Sequence, residues 1–385
     1  MAGEAARGEK LKMKMEKPFQ EKPEFEHLRK VIRRETKQGP VPIIEMTIDP
    51  DIMSEATGID FPCEQYRELA KFSSKMTPEG AMLGLKFLDL CAAFYPAAGY
   101  DYVTMYPTLP FIYTPSQLKP NPQQQGRARF WQQEHEGLLA TREQFEAYPW
   151  PKPGEVLTFP IDYVAGKMKP GMKGMAFFIG IFEQLRMLTG FEALAVKSIE
   201  EPDLVEDIIR RVAVVDQAAL EKIAAHPSVG AVFYADDLGF NTGLMLSPGW
   251  MREHIIPVDK RIAEIVHKQS KPFLFHTCGK VDALMEDLIE VVKIDARHSF
   301  QDNAYPVEEE YRKYHDRISI LGGLDLDLLA RATPERVRAR TRQILEACSD
   351  GGYCMGSGNS VTNFCKPENY YAMIDETRKW NEEHS

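Results

Sequence analysis

Lys271-Pro-Phe-Leu-Phe-His-Thr-Cys-Gly-Lys-Val281 runs a short apolar stretch directly into His276 and Cys278. Alternation along an extended strand places those two side chains on one face, so an imidazole and a thiol meet where the strand ends. A thiophilic metal, zinc first, accepts both nitrogen and thiolate sulfur, and two ligands from one strand end lower the ordering cost of a site. A buried cysteine beside a hydrogen-bonded histidine is the competing reading of the pair taken alone. The fold follows from the recurrence of this arrangement, an apolar strand with a polar exit and then an amphipathic stretch, along the chain.

Short β-branched or aromatic runs that end in Gly, Asp or Asn alternate with longer amphipathic stretches, the pattern of βα units. Strands are expected at Val41–Thr47, Asp101–Tyr106, Gly174–Gly180, Gly230–Ala235, Pro272–His276, Lys293–Ser299, Ile318–Gly322 and Gly352–Gly356. Helices are expected at Glu201–Ala225, Pro248–Gln269, Lys280–Val292, Val307–His315 and Thr333–Ala347, the last opening on a Thr-Pro-Glu start signal. Eight such units make an α/β chain with a (β/α)8 TIM barrel, in which chemistry gathers at the carboxyl ends of the strands. A doubly wound open sheet is the alternative, but no Gly-x-Gly-x-x-Gly follows the first strand.

With 385 residues, 44% of them hydrophobic and 27% charged, the chain can bury one large core. A net charge of −10 argues against a nucleic-acid or anionic-membrane surface. No apolar run approaches the roughly 18 residues of a membrane helix. Six cysteines without a secreted disulfide spacing suit a reducing cytoplasm. Residues 1–30, rich in Lys and Glu, read as a flexible arm ahead of a barrel over 31–385. Residues 107–173 form an insertion after the second strand, with a Pro/Gln-rich piece at Pro120–Gln125 and a helix expected at Leu138–Tyr148. Insertions of this length are lids or docking surfaces when they are functional.

The fourth strand exits through Asp236-Asp237-Leu-Gly, bringing two carboxylates to the face that carries His276 and Cys278. Adjacent carboxylates repel, so one of them can have a raised pKa and serve as a general acid or base while the other ligates metal or braces the loop. Asp236, Asp237 and His276 are the candidate catalytic residues. Glu45, Tyr106, Phe178, Phe300 and Asn359 are the candidate substrate contacts, the aromatic ones suiting a planar ligand.

The run Asp236-Asp237-Leu-Gly-x-x-Thr-Gly-x-x-x-Ser-Pro with Ile255-Ile256-Pro257, then His276-Thr-Cys278-Gly279, Gly322-Gly323-x-Asp325, and Gly358-Asn359 with Pro367-Glu368-Asn369, resembles the uroporphyrinogen decarboxylase-like superfamily. The likeness spans roughly residues 40–380. True decarboxylases of that superfamily carry an arginine-rich segment after the first strand to hold the porphyrinogen carboxylates; here that place reads Glu45-Met-Thr-Ile-Asp-Pro50. The resemblance therefore points to the cobalamin-dependent methyltransferase branch. It implies zinc on His276 and Cys278, and cobalamin supplied by a separate corrinoid protein, since no Asp-x-His-x-x-Gly segment is present.

In thiol-using members a third ligand is a cysteine shortly before the Pro-x-Glu-Asn motif, and the corresponding residue here is Asn359. Cys354, five residues earlier, is a candidate replacement, with Asp236, Asp237, Glu183 or water as the other options. A site with fewer sulfurs is a harder Lewis acid, which suits a methoxylated aromatic donor and O-demethylation. A thiol or folate acceptor is the nearest alternative. Decarboxylation and a non-catalytic metal- or corrinoid-binding barrel remain further ones.

Overall fold

The computed structural model describes residues 22–70, 77–113, 117–120, 128–131, 137–302 and 304–384. Seven parallel strands, Tyr102–Met105, Lys173–Ile179, Val229–Ala235, Phe273–His276, Ala296–His298, Ser319–Leu321 and Tyr353–Cys354, pair in chain order. Helices connect them, giving the (β/α)8 architecture with its long insertion after Tyr102–Met105. Phe273–His276 is buried along its whole length, because a parallel sheet covered on both faces needs apolar residues on both.

The first expected strand contributes only bridges. Ile43 pairs with Met355 and Ile48 with Val361, both parallel. Toward the next strand a side chain bridges the gap: the Tyr102 hydroxyl accepts the Glu45 N–H and donates to the Glu45 carbonyl, both at 2.7 Å. One phenol thus satisfies a buried donor and acceptor that would otherwise be orphaned.

The helix Pro202–Ala225 buries Leu204, Val205, Ile208, Ile209 and Val212 on one stripe, as its periodicity predicts. Three of the expected helices need correction. Pro248–Gln269 is two helices, Pro248–His254 and Ile256–Lys268, because Pro257 has no N–H to continue the first. Lys280–Val292 is a 3₁₀ turn, Asp282–Leu284, followed by a π-helical stretch, Asp287–Val292. Helix Leu138–Tyr148 shrinks to Arg142–Ala147, where Thr141 and Gln144 form a capping box.

A helix, Phe25–Ile32, begins inside the stretch expected to be an arm. Its Phe25, Leu28, Val31 and Ile32 are buried, and the Ser319 hydroxyl donates to the Val31 and Ile32 carbonyls. The helix seals the amino-terminal end of the barrel, opposite the strand exits, where contacts serve stability. Residues 1–21 lie outside the described residues, as do residues 121–125 of the Pro/Gln-rich piece. Within the insertion, Thr108 pairs with Leu157, and the Tyr148 hydroxyl holds both the N–H and the carbonyl of Ile112. No helix among the described residues is long and apolar enough to cross a membrane.

Candidate metal centre

Ala235, His276 and His298 stand side by side in the parallel register, so the exits of three neighbouring strands share one level. Past that level Asp237, His276 and Cys278 bring one ligand atom each to within 4.8 Å of one another. His276 Nε2 lies 3.4 Å from Cys278 Sγ and 3.5 Å from an Asp237 oxygen. The Cys278 N–H donates to the same carboxylate at 2.9 Å. Gly279, at φ +76°, lets the loop fold back, and a Cβ there would come within 2.2 Å of the Gly239 backbone. His276 is nearly fully buried, whereas the Asp237 side chain is 33% exposed, so the group opens on one side.

Hydrogen bonds fix the protons. His298 Nε2 faces the Ser357 carbonyl at 3.1 Å, and a carbonyl only accepts, so that nitrogen carries hydrogen. Neutral His298 is then an acceptor at Nδ1, which sits 2.7 Å from His276 Nδ1. His276 must donate there, leaving its Nε2 lone pair directed at the Cys278 sulfur and the Asp237 carboxylate. Three electron-pair donors converging on one point need a cation between them or a proton on one. Nitrogen, sulfur and oxygen in this combination fit zinc, and three protein ligands leave a position for substrate.

Without a metal the proton goes to His276. Burial disfavours the imidazolium, but the Cys278 sulfur and the Asp237 carboxylate outweigh it and lift the group to about 10. Partial burial raises Asp237, yet the His276 hydrogen bond and charge, with the Cys278 N–H, hold it at about 2. Burial and the adjacent His276 charge press His298 down to about 3, keeping it neutral. Zinc uptake near neutrality is therefore expected to release a proton from His276, with affinity rising as pH climbs toward 10. Calorimetry in two buffers of different ionisation enthalpy measures that proton; uptake with no release would contradict the assignment.

The two aspartates, in the loop just past the strand Val229–Ala235, part company. Asp236 is fully buried and accepts the N–H groups of Phe182 and Glu183 at 3.2 and 2.7 Å. These are orphan donors of the helix Ile181–Thr189, so Asp236 braces that helix and stays outside the metal group. Burial and the nearby Asp259 carboxylate push Asp236 well above the usual range. Glu183, at the start of the same helix, is raised by burial to about 7 against the pull of Arg186.

Asn359 lies at the site: its Nδ2 donates to Cys278 Sγ at 3.1 Å, while its Oδ1 accepts the Ser360 N–H. Cys354 does not. Its thiol is fully buried, with Asp101 and Tyr102 as its electrostatic neighbours, and burial pushes it up and away from a ligating thiolate. Glu45 is also no surface contact, since its carboxylate is fully buried against Ser357. Phe178 stacks on Tyr234 in the core, and Phe300 packs on the Arg297 guanidinium. Tyr106 is half-buried between Phe87 and Phe177.

Sequence reasoning did not single out Ser299 or Ser357. Ser299 adopts φ +94°, a strained value for a non-glycine residue, and its hydroxyl reaches Cys278 Sγ at 3.5 Å. Its position directly after His298 was the available signal.

The family model for uroporphyrinogen decarboxylase (URO-D) matches residues 139–380. No curated protein matches the chain significantly. A methyltransferase from Methanosarcina mazei superposes with a TM-score of 0.60 at 14% identity, over 92% of this chain and 97% of that one. A B12-independent methionine synthase from a Shewanella species, solved with selenomethionine, gives 0.51 at 11% identity over 89% and 96%. At such identities the likeness concerns the fold.

Proposed function

The chain belongs to the uroporphyrinogen decarboxylase family, and from that premise we propose that it is a zinc-dependent methyltransferase acting with the cobalamin of a separate corrinoid protein. The favoured substrate is a methoxylated aromatic compound. The convergence of Asp237, His276 and Cys278 at the strand exits carries this reading. Two fold relatives named as a methyltransferase and a methionine synthase support methyl transfer as the chemistry.

Asp237, His276 and Cys278 would hold zinc, which would supply Lewis acidity toward an ether oxygen, and the partner's reduced corrinoid would supply the nucleophile for the methyl group. His276 presents its Nε2 lone pair because His298 holds its other nitrogen protonated. Asn359 and Ser299 direct hydrogen-bond donors at Cys278 Sγ, which draws charge from the sulfur and keeps the site hard. That property favours an ether oxygen over a thiol. Glu183, paired with Arg186 at 2.6 Å and raised by burial to about 7, exchanges its proton near neutrality and is the carboxyl we assign to protonate a departing alkoxide or phenoxide. Tyr106 and Phe177 offer aromatic faces for a planar donor.

Purified protein should contain close to one zinc, and with reduced corrinoid protein it should convert methoxyarenes to phenols, followed by chromatography. Turnover confined to thiols would move the assignment to the alternative acceptor. Neither metal nor methyl transfer with any donor would remove it.

A further inference from the structure

Glu45 is a fully buried carboxylate far along the chain from the metal group, and both of its oxygens are held by one residue. The Ser357 N–H donates to Oε1 at 2.8 Å, and the Ser357 hydroxyl is bonded to Oε2. Ser357 is in turn a fork. Its carbonyl accepts from His298 Nε2, and His298 sets His276. Its hydroxyl also meets the Asn359 carbonyl, and Asn359 donates to Cys278. We infer that Glu45 is a positioning residue for the metal centre, anchoring Ser357 so that one buried group orients two ligands, the His276 imidazole and the Cys278 sulfur. The inference rests on the zinc reading above.

Two further features agree with it. The site leaves no slack around the Ser357 carbonyl: Gly322 has φ +73°, and a Cβ there would come within 2.2 Å of that oxygen and 3.1 Å of His298 Nε2. Burial lifts Glu45 to about 8, so its carboxyl holds a proton near neutrality. That proton lets Oε2 donate to the Ser357 hydroxyl, freeing the hydroxyl hydrogen for Asn359. A glutamine reproduces this pattern of one acceptor and one donor, and an alanine reproduces neither.

Zinc affinity by chelator competition and the absorption of the cobalt(II)-substituted full-length protein test the inference. Glu45→Ala is expected to weaken zinc by about ten- to a hundredfold and to alter the sulfur-to-cobalt charge-transfer band, with Glu45→Gln restoring both. A role confined to packing would lower thermal stability without moving that band. Equal zinc affinity and an unchanged spectrum in Glu45→Ala overturn the inference while leaving the metal site standing; a wild type that binds no zinc overturns both. If Glu45→Ala does not fold, nitrogen-15 NMR of the zinc-loaded wild type decides. Hydrogen on His298 Nε2 and His276 Nδ1 is expected, and the opposite tautomers would overturn the relay.

Discussion

His276→Ala and Cys278→Ala are each expected to lose zinc and to lower methyl transfer by about a thousandfold or more, because several kcal/mol of metal-borne stabilisation leaves with the ion. The loss follows from the geometry. Removing His276 leaves a carboxylate and a sulfur facing each other without the nitrogen that neutralises them, and it strips His298 Nδ1 of its donor. Removing Cys278 eliminates the acceptor for Asn359 and Ser299. Metal analysis with turnover on one methoxyarene checks both, and circular dichroism confirms that the barrel persists. Stoichiometric zinc with unchanged rate in either variant would place the metal, if any, elsewhere.

The largest stability effect is expected at Arg297→Ala, about 3 kcal/mol by urea denaturation, since a fully buried guanidinium is removed and Glu310 keeps only the half-exposed Lys313, at 2.8 Å, as its ionic partner. Arg297 lies on the strand that carries His298 and faces the opposite side, where its Nη1 donates to Glu310 at 2.8 Å. Side-chain exposure is 1% for both members, which separates this pair from the surface ion pairs. The faces of Phe300 and Tyr305 lie 5.1 and 4.9 Å from the guanidinium carbon. Replacing Arg297 by methionine together with Glu310→Gln should recover most of the loss, because no unpaired charge is then buried. A loss under about 1 kcal/mol in Arg297→Ala would mean that water reaches Glu310.

Much of this protein is written in its sequence. The short apolar runs locate the barrel segments, seven as strands and the first as a pair of bridges, because a strand covered on both faces cannot hide polar residues, and the exits are marked where those residues return. His276 and Cys278 are legible as a pair for the same reason: spacing of two on one strand end fixes a common face. The adjacent Asp236 and Asp237 are legible as carboxylates at the same strand exit, yet the sequence leaves open which of them joins His276 and Cys278. Only the docking of the helix Ile181–Thr189, whose N–H groups capture Asp236, assigns Asp237 to the site. The residue count puts Asn359 at the site and leaves Cys354 as a candidate replacement ligand, and the register of Tyr353–Cys354 against Ser319–Leu321 removes the latter by burying its thiol, while the Asn359 amide reaches Cys278. Glu45, Ser357 and His298 become a relay only when the first and last segments of the barrel close against each other. Local periodicity records which face a side chain takes; which partner it meets across some 300 residues of chain is a property of closure, and only the tertiary structure decides it.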